Sequence, residues 1–230
     1  RKIEPNIKAL GGILIPEVSV IDPVATTNSF YLDASSAGVK FVFDSKVINI
    51  INNKNYYIVC TDKEEYRFRC LINSAGLYAD EIASLAGIHQ YTIYPWRGEY
   101  YQLINLPHDY INGLVYPAVS KNSPGKGIHF KPDLSGNVFL GPSAKLVKSK
   151  DDYDTDRVPA EVFLKAAQKF FPDINMENLT PSYAGIRPKL REDGGEEDFV
   201  IRIDRKQPPL INLVAIESPG LSASMAIAEY

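Results

Sequence analysis

Cysteine is scarce in this chain: Cys60 and Cys70 are the only two in 230 residues. A fold stapled by disulfides is excluded at that count and length. The two flank a predicted hairpin that turns near Asp62-Lys63-Glu64, which pairs Cys60 with a residue near Arg67 and not with Cys70. Both read as free thiols, which suits a reducing compartment. Histidine is nearly as rare, and His89, His108 and His129 share no metal-ligand spacing with each other or with the cysteines. GxSxG, P-loop and CxxC patterns are missing. GKGIHF fails the GxGxxG pattern because Phe130 stands at its last position. An excess of positive charge is missing too. Lys and Arg total 25 against 28 acidic residues, a net charge of −3, so nucleic acid is not an expected partner. No apolar run approaches the ~20 residues that span a bilayer. The opening RKIEPNIKAL is not a signal peptide, because no apolar stretch follows its basic residues. A cytoplasmic location is expected, with a position peripheral to a membrane as the other option.

What is present describes a soluble chain with a real core: 45% hydrophobic and 23% charged residues. Residues 10–21, LGGILIPEVSVI, read as extended. Asp22-Pro23 predicts a helix start, with Asp as cap and Pro at the first helical position. Phe30, Ala34 and Ala37 share a helical face, and Gly38 ends the helix. VKFVFD (39–44) is a predicted strand. VINII (47–51) and YYIVCT (56–61) form a predicted hairpin. YRFRCLIN (66–73) alternates and then turns apolar, as one strand entering a core, and residues 77–86 are a predicted helix stopped by Gly87. From about 90, YPWRGEYYQLI, GLVYPAV, GKGIHFKP and NVFLGPSA are short strands between Pro, Gly and Asn turns, rich in aromatics, which predicts a mostly antiparallel sheet. PAEVFLKAAQKFFP (159–172) is amphipathic, with Val162, Phe163, Ala166, Ala167 and Phe170 on one side. SYAGIRPKL, FVIRID and LINLVAIE are strands again, and GLSASMAIAEY begins a helix. The fold class is therefore α/β (α+β), with a β-rich insert between two pieces of one α/β domain.

Four constellations carry chemistry, each with a bland reading beside the sharp one. INSAG (72–76) and IESPGLSAS (216–224) are strand-to-helix turns built of small residues. Each is either a packing turn or a ligand cradle, since a helix N-terminus offers unpaired N–H groups and open α/β sheets bind ligands beyond their strand ends. In SYAGIRPKL, Arg187 lies between Ile186 and Pro188. It either faces solvent from an edge or projects into a polar pocket, where its fork suits a carboxylate. In PWRGEYYQLI, Gly98 between Arg97 and Glu99 suits close approach to a planar ligand, or else simple aromatic packing around Trp96. His129, between Ile128 and Phe130, is either a satisfied strand histidine or a functional one.

In order along the chain, EPNI, INSAGLYADEIA, PWRGEYYQL, LVYPAV with GIHF, NVFLGPSA, AGIRPKL, DFVI and ESPGLSAS resemble the FAD-dependent oxidoreductases of the D-amino-acid oxidase superfamily. Within it the resemblance is closest to the L-2-hydroxyglutarate dehydrogenase/oxidase group, with glycerol-3-phosphate dehydrogenases and glycine or sarcosine oxidases more distant. The resemblance implies FAD as cofactor, with Val47, Ala75, Gly76, Gly185, Pro219, Gly220, Leu221 and Ser222 as its contacts. It implies that Arg187 grips a substrate carboxylate, that His129 accepts a hydroxyl proton, and that Tyr116 and Tyr100 line the substrate face. It implies residues 1–21 as connecting strands and 22–88 as part of an FAD-binding Rossmann-like domain. Residues 89–180 would then be a substrate-binding antiparallel sheet, and 181–230 the return to the FAD domain. The implied partner is a small carboxylate substrate; the electron acceptor is left open. Amine oxidation within the superfamily and a non-catalytic binding module remain as other readings. The family's N-terminal GxGxxG unit has no counterpart here, so Arg1 is expected to start a fragment that holds FAD weakly or not at all and exposes apolar surface where strands would pair.

Overall fold

Asp22 starts the first helix as its side chain chemistry predicts: Oδ1 accepts the backbone N–H groups of Val24 and Ala25 at 2.8 and 3.0 Å. The computed structural model describes residues 3–119 and 127–230. Its helices are α1 (Pro23–Ser36), α2 (Ala79–Leu85), α3 (Ala160–Gln168) and α4 (Gly220–Glu229). Its strands are β1 (Val47–Asn53), β2 (Tyr56–Thr61), β3 (Glu65–Phe68), β4 (Leu71–Asn73), β5 (Tyr94–Leu103), β6 (His129–Pro132), β7 (Val138–Gly141), β8 (Lys145–Leu146), β9 (Leu179–Lys189), β10 (Val200–Lys206) and β11 (Pro209–Val214). Single turns of 3-10 helix cover Gly76–Tyr78 and Met176–Asn178. The chain divides into two compact units, Arg1–Ser29 with Trp96–Ile186 and Phe30–Pro95 with Arg187–Tyr230.

The first unit is the expected antiparallel sheet, in the order β6-β7-β5-β8, with β9 also paired to β5. Period-two alternation sends Tyr101, Leu103, Phe130 and Leu140 to one face, where they are buried against Phe163, Ala167 and Phe171 of α3 and its end. Tyr101 and Phe163 are 4.6 Å apart, and Phe130 meets Phe171 edge-on at 4.9 Å. The helix therefore presents Phe163, Ala167 and Phe171, while Val162, expected on that face, is exposed.

Arg97 and Glu99 occupy the same buried side, both fully covered. Arg97 donates from Nε to Glu99 at 2.9 Å, from Nη1 to the Asp152 carboxylate at 2.7 Å, and from Nη2 to the carbonyls of Thr155 and Asp156 at 2.7 and 3.2 Å. The second oxygen of Glu99 accepts the Val158 N–H at 3.0 Å. This network staples the charged 144–158 segment to β5. The ligand-approach reading of Gly98 is corrected too: a Cβ there would lie 2.9 Å from the Pro142 ring and 3.3 Å from the Ser143 carbonyl, so what comes close is the protein's own 142–143 segment.

The second unit holds two three-stranded sheets, β1-β2-β3 and β10-β11-β4. β11 runs parallel to β4, with Ile211 beside Ile72 and Asn212 beside Asn73. Tyr57, wholly buried, donates to the Pro208 carbonyl at 2.9 Å and so pins one sheet to the other. Asp204 is a hub that accepts from Tyr91 at 2.6 Å, Asn212 at 2.7 Å, Arg202 at 2.7 Å and Gln90 at 2.9 Å. Burial pushes its carboxyl up, but the hydrogen bonds from Tyr91, Asn212 and Arg202 outweigh that and hold it below the ordinary value. A depressed carboxyl stabilises the fold above the unfolded pKa, about 3.9, and that contribution is lost as pH falls through the folded value. Asp204→Asn is expected to lower stability at neutral pH and to flatten its decline below about pH 4. Denaturant midpoints of both proteins across pH 2–7 check this.

Several local expectations are corrected. Residues 3–21 form no strand, and neither does VKFVFD. Val39, Phe41, Val42 and Phe43 are exposed, and no ladder partner pairs with them among the described residues. Beta propensity without a partner makes no strand. YRFRCLIN is two strands, because the chain leaves one sheet after Phe68 and enters the other at Leu71. Cys60 stands opposite Glu65, with Arg67 opposite Ile58; the turn is tighter than expected because Thr61 Oγ1 and its N–H both engage Glu64. In GLVYPAV only Val115 bridges, to Phe130. Of GKGIHFKP, Gly125 and Lys126 lie outside the described residues.

Candidate functional site

The two small-residue turns come off neighbouring strands. β4 and β11 are parallel partners, so the turn at 74–78 and the turn at 215–220 leave the same end of one sheet, the carboxyl end. That is where open α/β sheets take ligands. Asn73 shapes the first turn. Its side chain, buried at 2% exposure, donates to the Ala79 carbonyl at 2.7 Å and to Asn212 Oδ1 at 2.8 Å, and accepts from the Ala75 N–H at 3.2 Å. The chain is thus drawn off the strand and straight into α2. Ser74, Ala75 and Gly76 stay exposed, and a Cβ on Gly76, whose φ is +55°, would meet nothing within 4 Å. Asn73→Ala is expected to cost about 1–3 kcal/mol by stranding buried partners. Chemical denaturation, with Ser74→Ala as the indifferent control, checks it.

The second turn is tight on its inner side and open on its outer side. The Gly220 N–H is bonded to the Glu217 carbonyl, and a side chain on Gly220 would run into Ile216. A hollow of about 330 Å³ is lined by Ile216 through Ser222, with Pro219, Leu221 and Ser222 exposed along it. These two turns fit a flat dinucleotide: open space over Gly76, a hollow at Pro219–Ser222, and the N-terminus of the ten-residue α4. Val47 is half-buried at the start of β1, beside the cluster of Ile50, Tyr57 and Leu210. Arg187 and Lys189, at the end of β9, meet Glu217 at 4.0 and 3.0 Å.

In the first unit, the sheet face opposite α3 carries His129, Tyr116 and Tyr100, whereas Arg187 belongs to the second unit. His129 is buried at 7% exposure and stacks on Tyr116 at 4.2 Å. Its Nδ1 lies 3.0 Å from the Gly127 carbonyl. A carbonyl can only accept, so Nδ1 carries a proton, and in the neutral ring the lone pair is on Nε2. Gly141 pairs with His129, and a Cβ on Gly141 would lie 2.6 Å from the Tyr100 ring, which therefore leans over it. Tyr100 also stacks on Tyr183 at 4.6 Å, and the Lys131 ammonium sits 5.6 Å from both ring centres. Gly185, on β9, is exposed with open space at its Cβ position. Among the described residues no cluster of His, Cys, Asp or Glu could hold a metal, and no helix is long and apolar enough to cross a membrane.

Sequence reasoning missed Asn73, Asn212, Lys189, Glu217 and Lys131. The signals were slight: two asparagines inside apolar strands, a lysine two residues after Arg187, and an acid closing the apolar LINLVAI run.

The whole chain, residues 1–230, matches the family model described as FAD dependent oxidoreductase. It is 29% identical to a mitochondrial L-2-hydroxyglutarate dehydrogenase of Arabidopsis thaliana, over all of this chain and 57% of that protein. It is 31% identical to a glycerol 3-phosphate oxidase of Mycoplasma pneumoniae, over 98% of this chain and 59% of that protein. Among solved structures, the dithionite-reduced L-alpha-glycerophosphate oxidase of Mycoplasma pneumoniae with FAD bound superposes with a TM-score of 0.81 at 28% identity, covering 99% of this chain and 60% of that one. The chain thus spans a little over half the length of these relatives. With a family match along its entire length, the chain belongs to the FAD dependent oxidoreductase family.

Proposed function

We propose that the protein oxidises a small 2-hydroxy acid of the L-2-hydroxyglutarate kind to the 2-oxo acid. FAD, when bound, supplies the two-electron acceptor for the hydride that leaves the carbinol carbon. Val47, Ala75, Gly76, Gly185, Pro219, Gly220, Leu221 and Ser222 are its proposed contacts. Arg187 holds the substrate carboxylate through its guanidinium fork. His129 takes the hydroxyl proton at Nε2, while Tyr116 and Tyr100 shield the substrate and fix the imidazole plane. The observation that carries this reading is the tie from His129 Nδ1 to Gly127, because it leaves the ring in the tautomer a base requires, on a face of aromatic rings.

A second reading, glycerol 3-phosphate as substrate, is favoured by the relatives of that name at 28 and 31% identity. The same arginine would then hold a phosphate. Initial rates of the full-length gene product on L-2-hydroxyglutarate, glycerol 3-phosphate and small amino acids, with an artificial electron acceptor, separate the readings. Turnover of the hydroxy acid with loss of rate in His129→Gln is the expected result. Turnover of amino acids alone would overturn the proposal, since an amine needs no hydroxyl base.

A further inference from the structure

The geometry points to Glu217 as the residue that positions Arg187, an assignment that rests on the anchoring role proposed above for that arginine. Lys189 is buried, at 5% exposure. A lysine so covered needs a counter-charge. Glu217 supplies it, with Oε1 3.0 Å from Lys189 Nζ. The other oxygen of the same carboxylate lies 4.0 Å from Arg187 Nε. Arg187 and Lys189 are two residues apart on β9, so strand alternation sends them to one side. Glu217 reaches them from the turn that follows β11. Its backbone has little freedom, because its carbonyl closes the turn onto the Gly220 N–H and Gly220 is packed against Ile216.

Two consequences follow from this arrangement. The carboxylate meets the guanidinium at Nε, so the Nη1–Nη2 edge is not spent on Glu217 and keeps the geometry that takes an anion in bidentate fashion. The charges also balance in a useful way. Two cations and one carboxylate leave a net charge of +1, matched to a single anionic group on the substrate. Without Glu217, two like charges would share one side of a strand and the guanidinium would lose the counter-charge that draws it to this place. Glu217 acts through Arg187 and does not itself touch the substrate.

The test compares Glu217→Gln, Lys189→Met/Glu217→Gln, Arg187→Met and Arg187→Met/Glu217→Gln in the flavin-loaded full-length gene product. The probe is L-2-hydroxyglutarate or glycerol 3-phosphate, whichever the wild type oxidises. Glu217→Gln is expected to raise KM about tenfold or more while kcat changes little, as misplacing an anchor by a fraction of an ångström does. The double variant with Lys189→Met has no buried cation left to neutralise, so it should fold normally and still show the raised KM. Adding Glu217→Gln to Arg187→Met should raise KM no further. If the Lys189→Met/Glu217→Gln protein has a wild-type KM while Arg187→Met does not, Glu217 only neutralises Lys189 and the assignment is overturned. If Arg187→Met itself leaves KM unchanged, the anchoring role falls, and the assignment with it.

Discussion

Arg187→Met is expected to raise KM for the 2-hydroxy acid by about 100-fold, while the flavin content of the purified protein stays close to that of the wild type. The size follows from losing a charge-assisted, forked hydrogen bond in a partly covered setting: the side chain is 27% exposed, with its Nε 4.0 Å from Glu217. Arg187→Lys should recover only part of the loss, because an ammonium keeps the charge but not the fork. Flavin content separates this role from a general one. Apart from Gly185, two residues before it on β9, the proposed cofactor contacts lie on other elements, so an arginine that serves substrate should leave the flavin absorbance per protein unchanged. Equal losses of flavin and of substrate affinity would show that Arg187 holds the fold or the cofactor instead.

Arg97→Met is expected to destabilise the protein by about 3–5 kcal/mol, because it leaves the fully buried Glu99 without its main partner. In a chain of this size that corresponds to a fall of about 10 °C in the unfolding midpoint. The contrast is Lys145–Asp156, at 2.6 Å but with Asp156 86% exposed. Breaking that pair with Asp156→Asn should leave the unfolding midpoint nearly unchanged, since water screens and replaces it. Differential scanning fluorimetry of both variants checks the two together. Similar small shifts would mean that the Arg97 network does not hold the 144–158 segment.

Which parts of this architecture were legible beforehand follows from the range of the interactions involved. The hairpin of β1 and β2, the start of α1 at Asp22 and the amphipathic α3 are written in local signals: turn residues, a cap, a 3.6-residue period. The two small-residue turns were legible as turns. Their adjacency was not, because it depends on pairing strands that lie 139 residues apart, as the Asn73–Asn212 bond shows. The same distance hides the asparagines, since a polar residue in an apolar run says nothing about its partner. VKFVFD failed for the opposite reason: its composition is right for a strand, and nothing pairs with it among the described residues. Gly98, between Arg97 and Glu99, read as a place where a planar ligand could come close, and nothing local showed that Arg97 is buried. Besides Glu99, the partners of Arg97 are Asp152, Thr155 and Asp156, 55 to 59 residues further on.

His129 and Arg187 stand in different relations to the sequence. Both were singled out from their flanking residues, with a bland reading of each left open, and the family resemblance supplied their roles. The structure adds physical content to each: a fixed tautomer for His129 and a carboxylate-braced guanidinium for Arg187. Neither feature could be read from flanking residues, because Gly127 is only a glycine in the chain and Glu217 lies 30 residues beyond Arg187.

The most direct test of the central claim is a visible absorption spectrum of the full-length gene product, purified beside the 230-residue chain. The account predicts a flavin spectrum in the full-length protein, bleached on addition of the substrate under anaerobic conditions. No flavin band, even after incubation with FAD, would contradict it and leave a protein that keeps the fold of an oxidoreductase without its chemistry.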